Sequence, residues 1–588
     1  MLIRSLVLIV AVVGVLGLHA EAQEEEGEIA IPEPTAAARR VAEVIRREAL
    51  LPPNGPMGRP LPLASHWNVG AIEGSFQPPH QIRLIQEGHH ILPWSGWLRG
   101  DPNSRRFRQY RVPLYGLCRE LKLPLSFRGT QWEAILVKKT YRNGPEDRWT
   151  GVITPEGKRV PRLSPFGPLG PWKDPADVYV KTDAMKWAQE FYPDPPLIIW
   201  YGNNEAPTLR WKKHGGLEEQ SGRYLKKYGE GHDDEFKRRV VGDGWQERYR
   251  VLLTSMRGGL VNDTWRRNLR IVGYGAFGPS HFGRWDGWKV YSMITGDRVT
   301  WEWPVWDGAS PSYYTHNWND NRDHWVFSTQ VQSMNWIFML ERAWEANPDF
   351  WFEMSTWDGN EVRRWMSGLG VEDPANLPAA SSEPLTDAER EQMDGKIVRK
   401  VKTIQYMMDG QTYPPERAMG WVQYGMWLLR PRVVREFRGY TTPLVPVKDY
   451  WMQTVRAVDR VHGNETLRKF WRHGKLVHNR AHRHPYQTAI PEEYRDIHRW
   501  FLLDTDLDPE RPWKQKTNLP VFSLALVRGE EGGRRWLVYA HSPLQDRENV
   551  GIRVPGHGEI TVDVPRAGAF YVVEEGGEVE TVRPGAGR

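Results

Sequence analysis

Apolar stretches, most of them closed by polar or aromatic residues, alternate with amphipathic segments over most of this chain. They are LPLASHWNVG (61–70), HHILPWSGW (89–97), LPLSFRGTQWE (123–133), PPLIIWYGNNE (195–205), LRIVGYGAFGP (269–279), one inside TWEWPVWDGASPSYYTHNWN (300–319), DFWFEMSTWDG (349–359), and one around 419–424. Near-continuous apolar runs of this length read as strands covered on both faces, the condition of strands in a parallel sheet. Segments of helical period, such as AMKWAQEFY and GWQERYRVLLTSMRGGL, stand between them. Eight strand-like units separated by helices predict an α/β chain folded as a (β/α)8 TIM barrel over residues 61–445.

Outside those limits the pattern changes. Residues 23–60 form an N-terminal lead-in with one expected helix from about 35 to 50. A polar, glycine-rich excursion, KKHGGLEEQSGRYLKKYGEGHDDEF, follows the fourth run and reads as an insertion beside the strand ends. DYWMQTVRAVDRVHGNETLRKFW makes 446–516 a helical connector. Short alternating runs between Gly and Pro turns, among them FSLALVRG, EITVDVP and GAFYVVEE, then predict a small C-terminal all-β sandwich over 517–588.

The first 22 residues carry Arg4, an apolar run from Leu6 to Leu18 and Ala20-Glu21-Ala22, the pattern of a signal peptide cleaved after Ala22. The run is shorter than the roughly 20 residues that span a bilayer. The expectation is a secreted or periplasmic protein with no membrane segment after cleavage. Cys118 is alone, so no intrachain disulfide forms, and without a base motif around it a buried thiol is the reading.

Net charge is +6, which fits an anionic glycan, sulfated or uronic, as ligand. Secretion and the lack of any nucleic-acid motif speak against nucleic acid. Thirty tryptophans are a strong excess, and indole faces stack on sugar rings, so carbohydrate is the expected partner; helix-borne Trp336 and Trp344 read as core. His232 to Glu235 group possible metal ligands, but their spacing is not that of a zinc site, and a solvated acidic turn explains them. The glycines of YGAFGPSHFG lack a dinucleotide-loop pattern, so neither metal nor organic cofactor is expected.

Catalytic groups of β/α barrels sit at the C-terminal ends of the strands. Glu205 closes the fourth run and Glu353 lies within the seventh, and a pair of carboxylates is what glycoside hydrolysis requires, about 5 Å apart in retaining enzymes and farther in inverting ones. Each has a plainer reading. Ala206-Pro207 follows Glu205, as at a helix N-terminus, and Glu353, between Phe352 and Met354, suits a buried salt bridge with an arginine. Glu133, ending the third run, is the main rival carboxylate; Asp307 and Asp358 also compete, the latter before a glycine where a turn explains it. Candidates for holding substrate come from the other strand ends: His66, Trp67 and Asn68; Trp132 with Glu133; Tyr274 and His281; Tyr314 and His316; Trp421 and Gln423. Any one of these alone reads as packing, and their accumulation at strand ends is what favours a site.

With NNEAP after the fourth strand and FEMSTWDG in the seventh, the chain resembles the clan A glycoside hydrolases. It is also similar to secreted agarase-like and other bacterial polysaccharide hydrolases with a trailing β-domain. The resemblance covers the architecture over roughly 61–438. It implies Glu205 as acid/base, Asn204 as partner of the sugar 2-hydroxyl and Glu353 as nucleophile of a retaining double displacement. It further implies Tyr314 or His316 beside the nucleophile and Trp421 as an aromatic platform. Gln or Ala at Glu353 is then expected to remove turnover and leave the fold intact. Two alternatives stay open. One is a carbohydrate-binding barrel without turnover; the other is a polysaccharide lyase using Tyr314, His316 and Arg322.

Overall fold

The computed structural model describes residues 29–67, 78–96, 98–129, 132–154, 156–202, 222–273, 305–314, parts of 337–345, 347–357, 415–436, 447–479, 501–506, 521–530, 533–542 and 546–583. Eight parallel strands form the first domain: β1 (Leu63–His66), β2 (Trp94–Ser95), β3 (Leu125–Gly129), β4 (Ile198–Gly202), β5 (Leu269–Gly273), β6 (Gly308–Ala309), β7 (Trp351–Trp357) and β8 (Val433–Glu436). Their spatial order is β1-β8-β7-β6-β5-β4-β3-β2, and a bridge between Ala64 and Ile91 joins the two ends. Followed through β8, His66 is level with Thr356 on β7; followed through β2 to β6, it is level with Pro348, eight residues earlier. A stagger of eight over eight strands is the closure of a TIM barrel.

Sequence explains the irregular members. Pro311 has no N–H to give to a ladder, and β6 stops at Ala309 before pairing with β7 resumes at Ser312–Tyr314. β4 is buried at every position, as its unbroken IIWYG run predicts. A side chain at Gly202, its last residue, would begin 2.3 Å from the Trp132 ring, so only glycine lets that indole lie across the strand.

Helices cover the outside: α1 (Ala36–Leu50), α2 (Pro78–Glu87), α3 (Arg105–Glu120), α4 (Asp183–Phe191), α5 (Asp234–Gly258), α6 (Pro415–Leu429), α7 (Val447–Gly463) and α8 (Glu465–His473). Thr35 caps α1, accepting from Ala38 N at 3.1 Å, while its hydroxyl donates to Gln86 O and fastens α1 to α2. Asp233 caps α5 in the same way, accepting from Phe236 N at 2.7 Å, which accounts for one acid of the GHDDEF group. Asn464 caps α8 and breaks the expected connector helix in two. Among the described residues no helix is long and apolar enough to cross a membrane.

The run around 419–424 is the largest departure from the sequence reading. It is not the eighth strand but the middle of α6, and the strand is Val433–Glu436, about ten residues later. A helix apolar all round is covered on all sides, and a buried strand leaves the same mark in a short window. α7 covers one side of α6 and the second domain another. Strands β9 (Lys475–Leu476), β11 (Phe522–Glu530), β12 (Gly533–His541), β15 (Ala569–Glu574) and β16 (Val579–Thr581) form an antiparallel sheet in the order β9-β11-β12-β15-β16; β10 (Asp504–Thr505), β13 (Arg547–Val554) and β14 (Gly558–Val564) form a second. Two strands thus come from the stretch expected to be helical connector.

The larger sheet is apolar on both faces. Ala525, Trp536, Val538 and Val573 meet Ile552 and Val562 of the smaller sheet in the sandwich core, whereas Leu524, Leu526, Leu537, Tyr539 and Phe570 belong to the barrel's core. Trp421 packs on Phe522 and His541, and Tyr539 donates its hydroxyl to Gly420 O at 2.7 Å.

Candidate active site

The barrel interior is polar. Arg435 of β8 reaches Ser65 of β1 at 2.9 Å, Ser126 of β3 at 3.4 Å, the Tyr201 ring of β4 at 4.0 Å and Glu353 of β7. Strands β3 and β8 are not neighbours, so these contacts cross the inside of the barrel. Glu353 Oε2 accepts from Arg435 Nε at 2.8 Å, and Oε1 accepts from Arg435 Nη2 and from Trp351 Nε1, each at 2.9 Å. Both side chains are fully enclosed. Burial acts to lower the Arg435 guanidinium, but Glu353 and Tyr201 outweigh it and leave its pKa raised.

Two residues further along β7 lies a second polar layer. Trp67 Nε1 donates to Ser355 Oγ at 2.8 Å, and Ser355 Oγ donates to Ser310 O at 3.1 Å. Tyr201, its phenol pushed up to about 12 chiefly by burial, donates to the carbonyls of Trp67 at 2.9 Å and His66 at 3.1 Å. Glu353 therefore sits four residues before the end of its strand, beneath the Ser355 layer, with both oxygens taken. The arrangement gives both oxygens of an enclosed carboxylate a donor, and it ties five strands together through one guanidinium. For Glu353 to attack a sugar, an oxygen has to leave the guanidinium.

β4 ends at Gly202, and Glu205 is the third residue beyond it. Glu205, Asn204, Asn68, Tyr274, His281 and His316 lie outside the described residues, as do Asp358 and Arg322. Tyr314 closes the short strand beside β7, level with Trp357. Glu133 does not end β3, which stops at Gly129; its backbone falls in the short helix Trp132–Leu136. Trp132 is enclosed, stacked on Trp306 at 5.7 Å. His66 is buried against Trp94 and Trp451, and Trp67 is buried edge-on to Tyr201 at 4.5 Å. Trp421 and Gln423 are corrected with their strand: they lie on α6 against the β-domain, where Gln423 donates to Ala567 O at 2.8 Å, and not on a barrel strand. Asp307 stands before β6, accepting from Arg257 and from Ile271 N at 2.7 Å each, a fastening at the barrel's other end.

Sequence reasoning missed Arg435 and Glu436 because it placed the eighth strand too early. Glu436 is the last residue of β8, buried and level with His66 and Thr356, a carboxylate at a strand's C-terminal end. The signal was present in PRVVRE, a short β-branched pair bounded by a proline.

No family model and no curated protein matches this sequence. Among solved structures, the crystal structure of an agarase, AgWH50C, is matched at 12% identity with a TM-score of 0.29, over 77% of this chain and 72% of that one. So loose a superposition carries no argument about activity.

Proposed function

We propose that this chain is a secreted glycoside hydrolase acting on a polysaccharide or oligosaccharide at the C-terminal mouth of its barrel. The observation that carries the reading is the strand assignment. Glu353 belongs to β7 and Glu205 is the third residue after the end of β4, which supports the roles implied by the resemblance to clan A glycoside hydrolases, whose carboxylates come from the fourth and seventh strands. In this reading Glu205 protonates the leaving oxygen and then activates water, while Glu353 attacks once the incoming sugar draws it from Arg435. The enclosed ion pair favours a second reading, a barrel that binds glycan without cleaving it.

The deciding experiment incubates purified protein with a panel of neutral, uronic and sulfated polysaccharides and follows reducing ends and product mass. Glu205→Ala is expected to lose turnover on the glycan and to regain rate on substrates with activated leaving groups, since these need no general acid. Binding with no product from any substrate would leave the second reading standing. Products ending in an unsaturated uronate would replace both with a lyase.

A further inference from the structure

The barrel closes between β1 and β2, and there the described residues pair only through Ala64 and Ile91. Ala64 N donates to His90 O at 3.0 Å and Leu92 N to Ala64 O at 2.9 Å. A seam this short needs support from outside the sheet, and it comes from α7. Asp459 Oδ1 accepts from the backbone N of His90 at 3.0 Å and from His90 Nδ1 at 2.8 Å, while Oδ2 accepts from His89 Nδ1 at 2.6 Å. One helical turn on, His462 Nε2 meets the carbonyl of Pro62, just before β1, at 2.8 Å. A carbonyl only accepts, so that nitrogen carries the proton. His462 also stacks on His90 with ring centroids 3.6 Å apart and planes 11° from parallel. Asp459 and His462 thus grip the leading ends of both seam strands.

We propose that Asp459, His89, His90 and His462 form a proton-dependent clasp that holds the barrel seam shut, and that charging His462 against His90 releases it. Every group in the cluster is placed for this. Asp459 needs its negative charge to take three donors. His89 lies between Asp459 and Glu87, whose carboxylate is 3.3 Å from its Nε2. His462 is buried and faces the His90 ring, with Asp459 as a nearby anion and Arg472, itself paired with Glu48, as a nearby cation. His80 and Arg83 of α2 complete the surroundings on the His89 side.

The signs of the shifts give the clasp two limbs. Burial acts to lower His89, but Asp459 and Glu87 outweigh it and raise its pKa. Its contribution is complete below the unfolded value, about 6.5, and is lost as pH rises through the folded one. His462 is held well below its ordinary value by burial first and His90 second. Its contribution is present above about pH 6.5 and is lost as pH falls toward the folded value. Burial acts to raise Asp459, but His89 and His90 outweigh it and hold it well below the usual carboxylate range, so it stays charged throughout that window.

The test is hydrogen exchange by mass spectrometry on the whole protein between pH 5 and 9, corrected for intrinsic rates. Peptides covering Ala64 and Leu92 are compared with a reference from β4. In the unaltered chain, seam peptides should lose protection severalfold on going from pH 7 to pH 5, while the reference changes less. His462→Asn, which keeps a donor for Pro62, should remove that acid limb. Asp459→Asn should expose the seam at every pH. An acid limb that persists in His462→Asn, or a seam that stays protected in Asp459→Asn, would overturn the proposal. Should Asp459→Asn fail to fold, His89→Gln decides: it should abolish the loss of protection on the alkaline side, and its survival would be equally fatal.

Discussion

Removing Arg435 would leave Glu353 buried with one indole as its remaining donor, and removing Glu353 would strand a guanidinium among two serines and a tyrosine ring. Either change is expected to cost about 3–5 kcal/mol, as breaking one side of an enclosed ion pair does. The expectation that Gln at Glu353 spares the fold is therefore revised. Replacing both residues with methionine should recover much of the loss, because an apolar pair of similar volume needs no compensation. Urea unfolding of the two single variants and the double variant checks this. The same set separates structure from chemistry: a double variant that regains stability and stays inactive on a cleaved glycan assigns the Glu353–Arg435 pair, rather than a loss of fold, to the reaction. Glu353 was legible in the sequence, since a carboxylate inside FWFEM is conspicuous. Its partner was not, because Arg435 is one of many arginines and lies in a four-residue strand.

At the scale of elements, the long apolar runs of β4, β5 and β7 were found within a few residues, since burial on both faces leaves an unbroken signal. β2 and β6, two residues each, lie inside the runs at 89–97 and 300–319, which are far longer than the strands, and α6 imitated a strand. The helix expected from about 35 to 50 is α1, and Thr35 is its cap. Thr35→Ala is expected to cost about 1 kcal/mol from the cap, more with the link to Gln86 lost, measurable as a lower melting temperature. Gly420 has a different role. A methyl there would begin 2.3 Å from the Arg566 carbonyl oxygen, so Gly420→Ala should push α6 off the β-domain and cost about 1–3 kcal/mol through overpacking. Calorimetry would find both domains shifted together.

For the molecule as a whole, alternation in the C-terminal strands announced a sandwich, but not that its larger sheet has no outward face. Leu524, Leu526 and Phe570 belong to the barrel's core as much as to their own strands. Ending the chain after residue 474 would uncover α6, with Trp421, Tyr424 and Trp427, as a continuous aromatic surface, which predicts aggregation on expression and a single cooperative melting transition for the intact protein. Two separate transitions would contradict this. A helix that is wall to two rooms also limits how such a chain can be recombined. A foreign β-domain spliced behind this barrel would have to arrive with a sheet shaped to Gly420 and Trp421.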